Sequence, residues 1–228
     1  MHIRKASGLL WPCLVLLALN SALYAEPVVY PFIGHMDPAQ GTIEMWMAPR
    51  FDPVAPPTDQ NVFIRNILRV SQDDNNYFQI LWRHVTDHST FPDAGPLGGP
   101  WVRAARQGER VFVSMLIWPD TARIQGAWND PGTWAKGELR HVAYCWDGAQ
   151  IWLYIDGQEV RRIPMSGALG LRSSEDLIIE IGDRRTDGIY IRDLRISSLP
   201  RRPAELGYHQ PDGMRADLFT LLLHRATP

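Results

Sequence analysis

Between Arg140 and Arg162 the chain reads RHVAYCWDGAQIWLYIDGQEVRR, and its apolar and polar positions alternate instead of recurring every three or four residues. From His141 to Trp146, Val142, Tyr144 and Trp146 fall on one side, with His141, Ala143 and Cys145 on the other, the period-two pattern of a strand covered on at least one face. Asp147-Gly148 opens a short loop, Ile151 to Ile155 alternates again, and Asp156-Gly157 supplies a two-residue turn that tolerates positive φ before a third strand over Gln158 to Ile163. That is a three-stranded meander with no room for a helix. Its aromatic residues, Trp146, Trp152 and Tyr154, read as scaffold.

The same pattern recurs in TIEMWM (Thr42 to Met47), NVFIRNILRV (Asn61 to Val70), YFQILW (Tyr77 to Trp82), VFVSMLIW (Val111 to Trp118), LIIEI (Leu177 to Ile181) and IYIRDLRI (Ile189 to Ile196). Each run is short, rich in β-branched and aromatic residues, and bounded by Gly, Pro, Asp or Asn. Such a series predicts an all-β fold of two packed antiparallel sheets. No stretch before Pro203 has helical spacing. The tail ADLFTLLLH, Ala216 to His224, fits a last strand closing against the N-terminal region or a short helix, and Thr220 to Leu223 favours the strand. Two connections are long, Asp52 to Gln60 and Asp87 to Gly108; long loops in a compact domain are often functional.

Residues 1–25 change the expected address. Arg4 and Lys5 precede an apolar run from Leu9 to Leu19 and small residues up to Ala25, the layout of a secretory signal peptide. One domain is therefore expected over residues 26–228, in a secreted or periplasmic protein. The apolar run is about half of the ~20 residues a spanning helix needs, so no membrane span is expected after cleavage. Cys13 follows Leu-Trp-Pro, not the small residues of a lipoprotein site. Without the leader, Cys145 is the one remaining cysteine, no internal disulfide can form, and mid-strand it reads as a buried apolar side chain.

The formal charge of −2 becomes more negative without the leader, with 21 basic residues against 25 acidic ones. Those basic residues include a single lysine, Lys136, and the arginines alternate with acids instead of forming a stripe. Nothing here points to nucleic acid.

With the strands placed, W-x-x-G-E-L-R-H-V-A-Y-C-W-D-G-x-x-I-W-L-Y-I-D-G-Q-E-V (Trp134 to Val160) resembles the most recognisable segment of laminin-G-like domains of the concanavalin-A-like jelly-roll superfamily. IGDRRTDGIYIRDLRISSLPRRPAEL (Ile181 to Leu206) is similar to the closing segment of those domains, and GTIEMWMAPRFD (Gly41 to Asp52) to their early strand. The resemblance implies a jelly-roll sandwich that binds ligands on a sheet face or at a loop-bearing rim. It implies no single function, because lectins, adhesion modules, carbohydrate-active enzymes and plain spacers share the fold. Many relatives bind calcium through the first of two adjacent acids in the closing segment; here the pair reads Arg192-Asp193, so that motif does not support calcium, and no cofactor or metal ligand is assigned.

Glycoside hydrolysis on a sandwich calls for acids at alternating positions of one strand. The E-x-D-x-x-E run of superfamily glucanases is missing, Glu180 and Asp183 are three apart, and Glu44 has no acidic partner on its strand. His84 and His88 with Asp87 have a zinc-like spacing, but Val85 stands where a zinc protease needs glutamate, and a solvated loop is the better reading. Asp73-Asp74-Asn75-Asn76 offers oxygen ligands for calcium, yet a hairpin turn favours the same residues. Asp183 and Asp187 bracket a similar turn. No catalytic residue is assigned and the chain is not expected to be an enzyme.

Trp46, Trp82, Trp118, Trp146 and Trp152 lie in expected strands and read as core, whereas Trp101, Trp128 and Trp134 lie between Gly, Pro and Asp residues in expected loops. A sugar ring stacks on an exposed indole while its hydroxyls meet polar neighbours. Trp101 and Trp128, with His84 and Arg103, are therefore the candidate ligand-binding residues. The expectation is a secreted non-catalytic recognition module for glycan or for an extracellular or envelope protein. The alternatives are a carbohydrate-active enzyme of the same fold with loop-supplied acids and a purely structural envelope sandwich.

Overall fold

The computed structural model describes residues 27–53, 62–73, 76–85, 111–118, 124–128, 134–164, 169, 171, 175–182, 188–210 and 212–226. The expected signal peptide lies outside them. Twelve strands are described: β1 (Val28–Pro31), β2 (Gly41–Pro49), β3 (Val62–Asp73), β4 (Asn76–Val85), β5 (Val111–Trp118), β6 (Ile124–Trp128), β7 (Arg140–Trp146), β8 (Gln150–Ile155), β9 (Gln158–Pro164), β10 (Ile178–Ile181), β11 (Ile189–Ser197) and β12 (Thr220–Arg225). They form two antiparallel six-stranded sheets, a jelly-roll sandwich. The first has the order β1-β10-β3-β4-β5-β6, the second β12-β11-β2-β7-β8-β9.

Turn chemistry sets the registers. Asp156 and Gly157 have φ of 49° and 75°, the left-handed pair that joins β8 to β9 with the twist of the flanking strands. Asp147 Oδ1 accepts from the amides of Ala149 and Gln150 and closes the β7–β8 loop. Asp73, the last residue of β3, stands opposite Asn76, the first of β4.

Alternation then fills the interior. Ile43, Met45 and Met47 of β2, Val142, Tyr144 and Trp146 of β7 and Leu194 and Ile196 of β11 meet Leu68, Val70, Phe78, Ile80, Trp82 and Ile179 of the first sheet, all fully buried. At one end Trp82 sits between two edge-on rings, Phe51 with centroids 5.6 Å apart and Trp134 at 5.0 Å. Trp134, expected among the loop tryptophans, is 1% exposed and donates Nε1 to Glu138 O at 2.9 Å; it plugs the sandwich, because a non-strand residue has no sheet direction forcing it outward.

Two further expectations are corrected. Trp128 is not in a loop but ends strand β6, which the sequence hides because IQGAW is only five residues long and holds a central glycine. β1 was likewise unread. The tail is a strand as expected, but β12 pairs with β11, and it meets β1 where Tyr30 Oη and His224 Nδ1 lie 3.1 Å apart.

β7 is buried on both faces. The chain after β11 runs through two 3-10 turns, Pro203–Glu205 and Gly207–His209, and covers the outer face of the second sheet before β12 returns to its edge. A small second cluster, Ala143, Cys145, Tyr154 and Leu206 with Trp152 and Tyr208, packs beneath this strap. Among the described residues no helix is long and apolar enough to cross a membrane.

Candidate functional site

The register gathers three connections at one end of the first sheet. Val62 of β3 pairs with Val85, where β4 ends; His84 pairs with Val111, where β5 begins; and Val111 pairs with Trp128, where β6 ends. The connections over 54–61, 86–110 and 129–133 therefore all attach there. Phe63, His84, Val111 and Trp128 form one row across four strands, so two of the four sequence candidates, His84 and Trp128, share a register position two strands apart. Trp101 and Arg103 belong to the 86–110 connection and lie outside the described residues, as do Asp87, His88, Asp183 and Asp187.

The outer face of the second sheet carries polar chemistry that alternation alone does not reveal. Glu44 on β2, Arg195 on β11 and His141 on β7 are buried side by side. Arg195 places Nε 2.7 Å and Nη2 2.6 Å from Glu44 Oε1, while His141 Nε2 and the Gly207 amide reach Oε2 at 3.0 and 2.6 Å. Burial alone would push the Glu44 carboxyl up, but His141, the Arg195 charge and the Gly207 N–H together hold it below the ordinary carboxylate range. His141 Nδ1 is buried and has no hydrogen-bond partner among the described residues. Arg195 also donates to the carbonyls of Arg215 and Glu205 at 2.7 and 3.3 Å, so the same cluster pins the strap.

A second set of contacts pins its start. Thr42 Oγ1 donates to Leu199 O at 2.9 Å and accepts from the Arg201 amide at 2.8 Å. Arg201 reaches Ser197 Oγ at 2.8 Å and Asp217 Oδ1 at 2.7 Å. The Arg201 hydrogen bond, aided by Thr220 and the Phe219 amide, holds the Asp217 carboxyl well below the usual range. Cys145 Sγ lies under the strap, 3.5 Å from Arg201 O, and burial pushes its thiol up to about 12.

This arrangement binds the protein to itself. The Glu44–His141 pair resembles a base and its orienting acid, yet among the described residues no activated nucleophile adjoins it, and both side chains are 0% exposed. Among the described residues no group of three or more His, Cys, Asp or Glu is placed to hold a metal ion. Where many relatives carry two adjacent acids, Arg192 Nε donates to Asp193 Oδ2 at 2.9 Å.

A laminin-G family profile, described as the concanavalin A-like lectin/glucanases superfamily, matches residues 27–207, from before β1 to the second 3-10 turn. The chain belongs to the concanavalin A-like lectin/glucanases superfamily.

No curated protein matches this superfamily member. Among solved structures it is similar to a Bacteroides ovatus ATCC 8483 protein described as a candidate carbohydrate-binding protein (12% identity, 89% of this chain and 50% of that one, TM-score 0.52). It is also similar to an HCR/D mutant (10% identity, 83% and 42%, TM-score 0.54). A third is domain 4 of AbnA, a GH43 extracellular arabinanase from Geobacillus stearothermophilus, in complex with arabinotriose (14%, 78% and 69%, TM-score 0.45). At these identities the likeness is one of fold, and the chain spans half the length of the Bacteroides protein. Within the superfamily frame, the strap contacts of Glu44, His141 and Arg195 are the polar residues that strand alternation missed; the signal available was three polar residues, one on each of three strands, at positions that the pattern makes solvent-facing.

Proposed function

We propose that this superfamily member is a non-catalytic, lectin-like recognition module of an exported protein, folded as one domain from residue 26 onward, and that it takes a glycan at the end of the first sheet where His84 and Trp128 share a row, with Trp101 and Arg103 of the segment between β4 and β5 as further ligand residues. The observation that carries this reading is the contrast between the two sheets. On the second, Thr42 and Arg195 hold the strap, and Glu44, its one buried glutamate, is locked by His141, Arg195 and the Gly207 amide. On the first, one end receives three connections, including the longest in the chain.

The absence of paired acids supports the non-catalytic part: none of the twelve described strands carries two carboxylates, which retaining and inverting glycosidases alike need facing one sugar. The carbohydrate-binding description of the Bacteroides ovatus protein supports glycan as the ligand class. The test is a thermal-melt and calorimetry screen of residues 26–228 against neutral and acidic oligosaccharides. A ligand present at ~100 times its Kd adds about 2.7 kcal/mol to the folded state. Binding that falls at least tenfold in both Trp101→Ala and Trp128→Ala is the expected result. Sugar release from a polysaccharide, lost on substituting one acid, would replace this reading with the enzymatic one. Binding of no sugar, together with stoichiometric capture of an envelope protein, would move the ligand class to protein.

A further inference from the structure

Beside the strap, on the outer face of the second sheet, one arginine is clamped in place and left short of acceptors. Arg192 is the extra residue of a bulge in β11: Ile191 and Asp193 pair with Met47 and Trp46 of β2, and residue 192 pairs with neither. Its guanidinium carbon lies 5.0 Å from the centroid of Trp46, and its Nε donates to Asp193 Oδ2 at 2.9 Å. Its Nη2 is buried with no hydrogen-bond partner among the described residues.

The platform beneath it is rigid. Trp46 donates Nε1 to Gly207 O at 3.3 Å and meets the His141 ring edge-on at 5.5 Å. Asp193, almost fully buried, also has Arg225 Nε at 3.9 Å, so two guanidinium groups share one carboxylate and the locality is net cationic. Arg225 is anchored by Nη2 to Met214 O at 2.7 Å while its side chain stays 59% exposed. Two residues before Arg192, Tyr190 carries a second arginine, Arg50, at 5.4 Å from its ring centroid.

An arginine on the surface normally gives up side-chain freedom when it binds. One already fixed by stacking and by its Nε bond has less to lose, and its donors are preorganised. The Arg192 side chain is 26% exposed, so the accessible part of its guanidinium can meet a ligand oxygen while the buried Nη2 stays beneath the surface. The acceptor that suits the planar guanidinium is a carboxylate, whose charge-assisted bonds are roughly twice as strong as those of a sugar hydroxyl.

We propose that Arg192, stacked on Trp46 and braced by Asp193, anchors a second binding site, one for the carboxylate of a uronic-acid saccharide. Arg192 makes the short-range contact and Arg225 adds attraction from the solvent side. The proposal rests on the glycan-binding reading above and narrows it to acidic glycans at a different place on the molecule.

The experiment is calorimetric titration of residues 26–228 at low ionic strength with trigalacturonate and with its fully methyl-esterified form, which has the same sugar rings and no charge. The acid is expected to bind at least tenfold more tightly than the ester, and Arg192→Gln to abolish that difference. Arg192→Lys, which keeps the charge and loses the fork, is expected to retain only part of the preference. Arg225→Gln should reduce it a few-fold and flatten its salt dependence. Equal binding of acid and ester by the unaltered chain overturns this site and leaves the glycan reading standing, and that comparison decides even if Arg192→Gln fails to fold. Persistence of the preference in a folded Arg192→Gln overturns it too. No binding of any saccharide, acidic or neutral, overturns both.

Discussion

Glu44 shows how a single side chain comes to organise a face of the molecule. A buried carboxylate is tolerable only when its charge is met and its lone pairs are filled, and here a guanidinium, an imidazole and a backbone amide do both. Removing one partner leaves the others buried and uncompensated. Glu44→Gln is expected to cost about 3–5 kcal/mol, because the Arg195 charge loses its counter-ion, and urea unfolding at neutral pH measures it. The pH dependence follows from the direction of the shift. Because the folded carboxyl titrates below its unfolded value, its contribution is fully present above the ordinary carboxylate range and is lost as pH falls through the lower, folded value. The stability of the unaltered chain should therefore decline in acid more steeply than that of Glu44→Gln. Cys145 gives the opposite kind of test. Burial lifts its thiol to about 12, so native protein at pH 8 should resist iodoacetamide and unfolded protein should react at once, as mass spectrometry of the labelled chain would show. At this scale the sequence is a partial guide. The inertness of Cys145 follows from its place in a strand, but the burial of Glu44 does not, since its cover comes from residues more than 150 positions away that follow no strand period.

The strap is the element on which the second sheet depends, and glycine permits its close approach. A Cβ on Gly207 would fall 2.6 Å from Met214 Cγ and 3.2 Å from Glu44 Oε2, so only a bare backbone can donate to Glu44 from there. Gly157, in the β8–β9 turn at a φ of 75°, lies under the Tyr208 ring, and a Cβ there would collide with it. Gly157→Ala should therefore lose about 1–3 kcal/mol from left-handed strain and displacement of Tyr208 together, and hydrogen exchange should rise at residues 206–209 before it rises in β7. The strands themselves were legible wherever alternation ran for five residues or more without a glycine. β6 and β1 were not, for their stability comes from pairing with neighbours instead of from their own pattern. The two 3-10 turns follow no apolar period at all; they are set by Pro203 and by the Glu44 and Arg195 bonds. For the same reason the register that puts His84 and Trp128, two of the expected ligand residues, in one row could not be read from a one-dimensional pattern.

At the scale of the whole molecule the two sheets and the strap should unfold as one unit, since Arg195 joins β11 to β2 and to the covering segment at once. A chain ending at Ser198 would lack β12 and every strap contact of Thr42, Glu44 and Cys145. It is expected to give no cooperative melt, and a sharp transition near that of the full chain would show the strap to be dispensable. Trp134 makes a comparable contribution from the other side. Trp134→Ala empties the end of the sandwich against Trp82 and is expected to cost about 3–5 kcal/mol, read from the same melts.

The hydrogen bond between Tyr30 and His224 belongs to the first and last strands, β1 and β12, and each residue stands within three positions of the end of the described chain. Pro27 and Ala226, which bound the described residues, thus lie toward one corner. A fold with that property has no preferred starting point. Its connectivity can be cut at the Asp147–Gly148 loop and rejoined by a short linker from Ala226 to Pro27, at a closure cost that grows only slowly with linker length. The same corner lets the sandwich be spliced as a pendant into a surface loop of a larger host, carried on two adjacent stalks, with neither sheet disturbed.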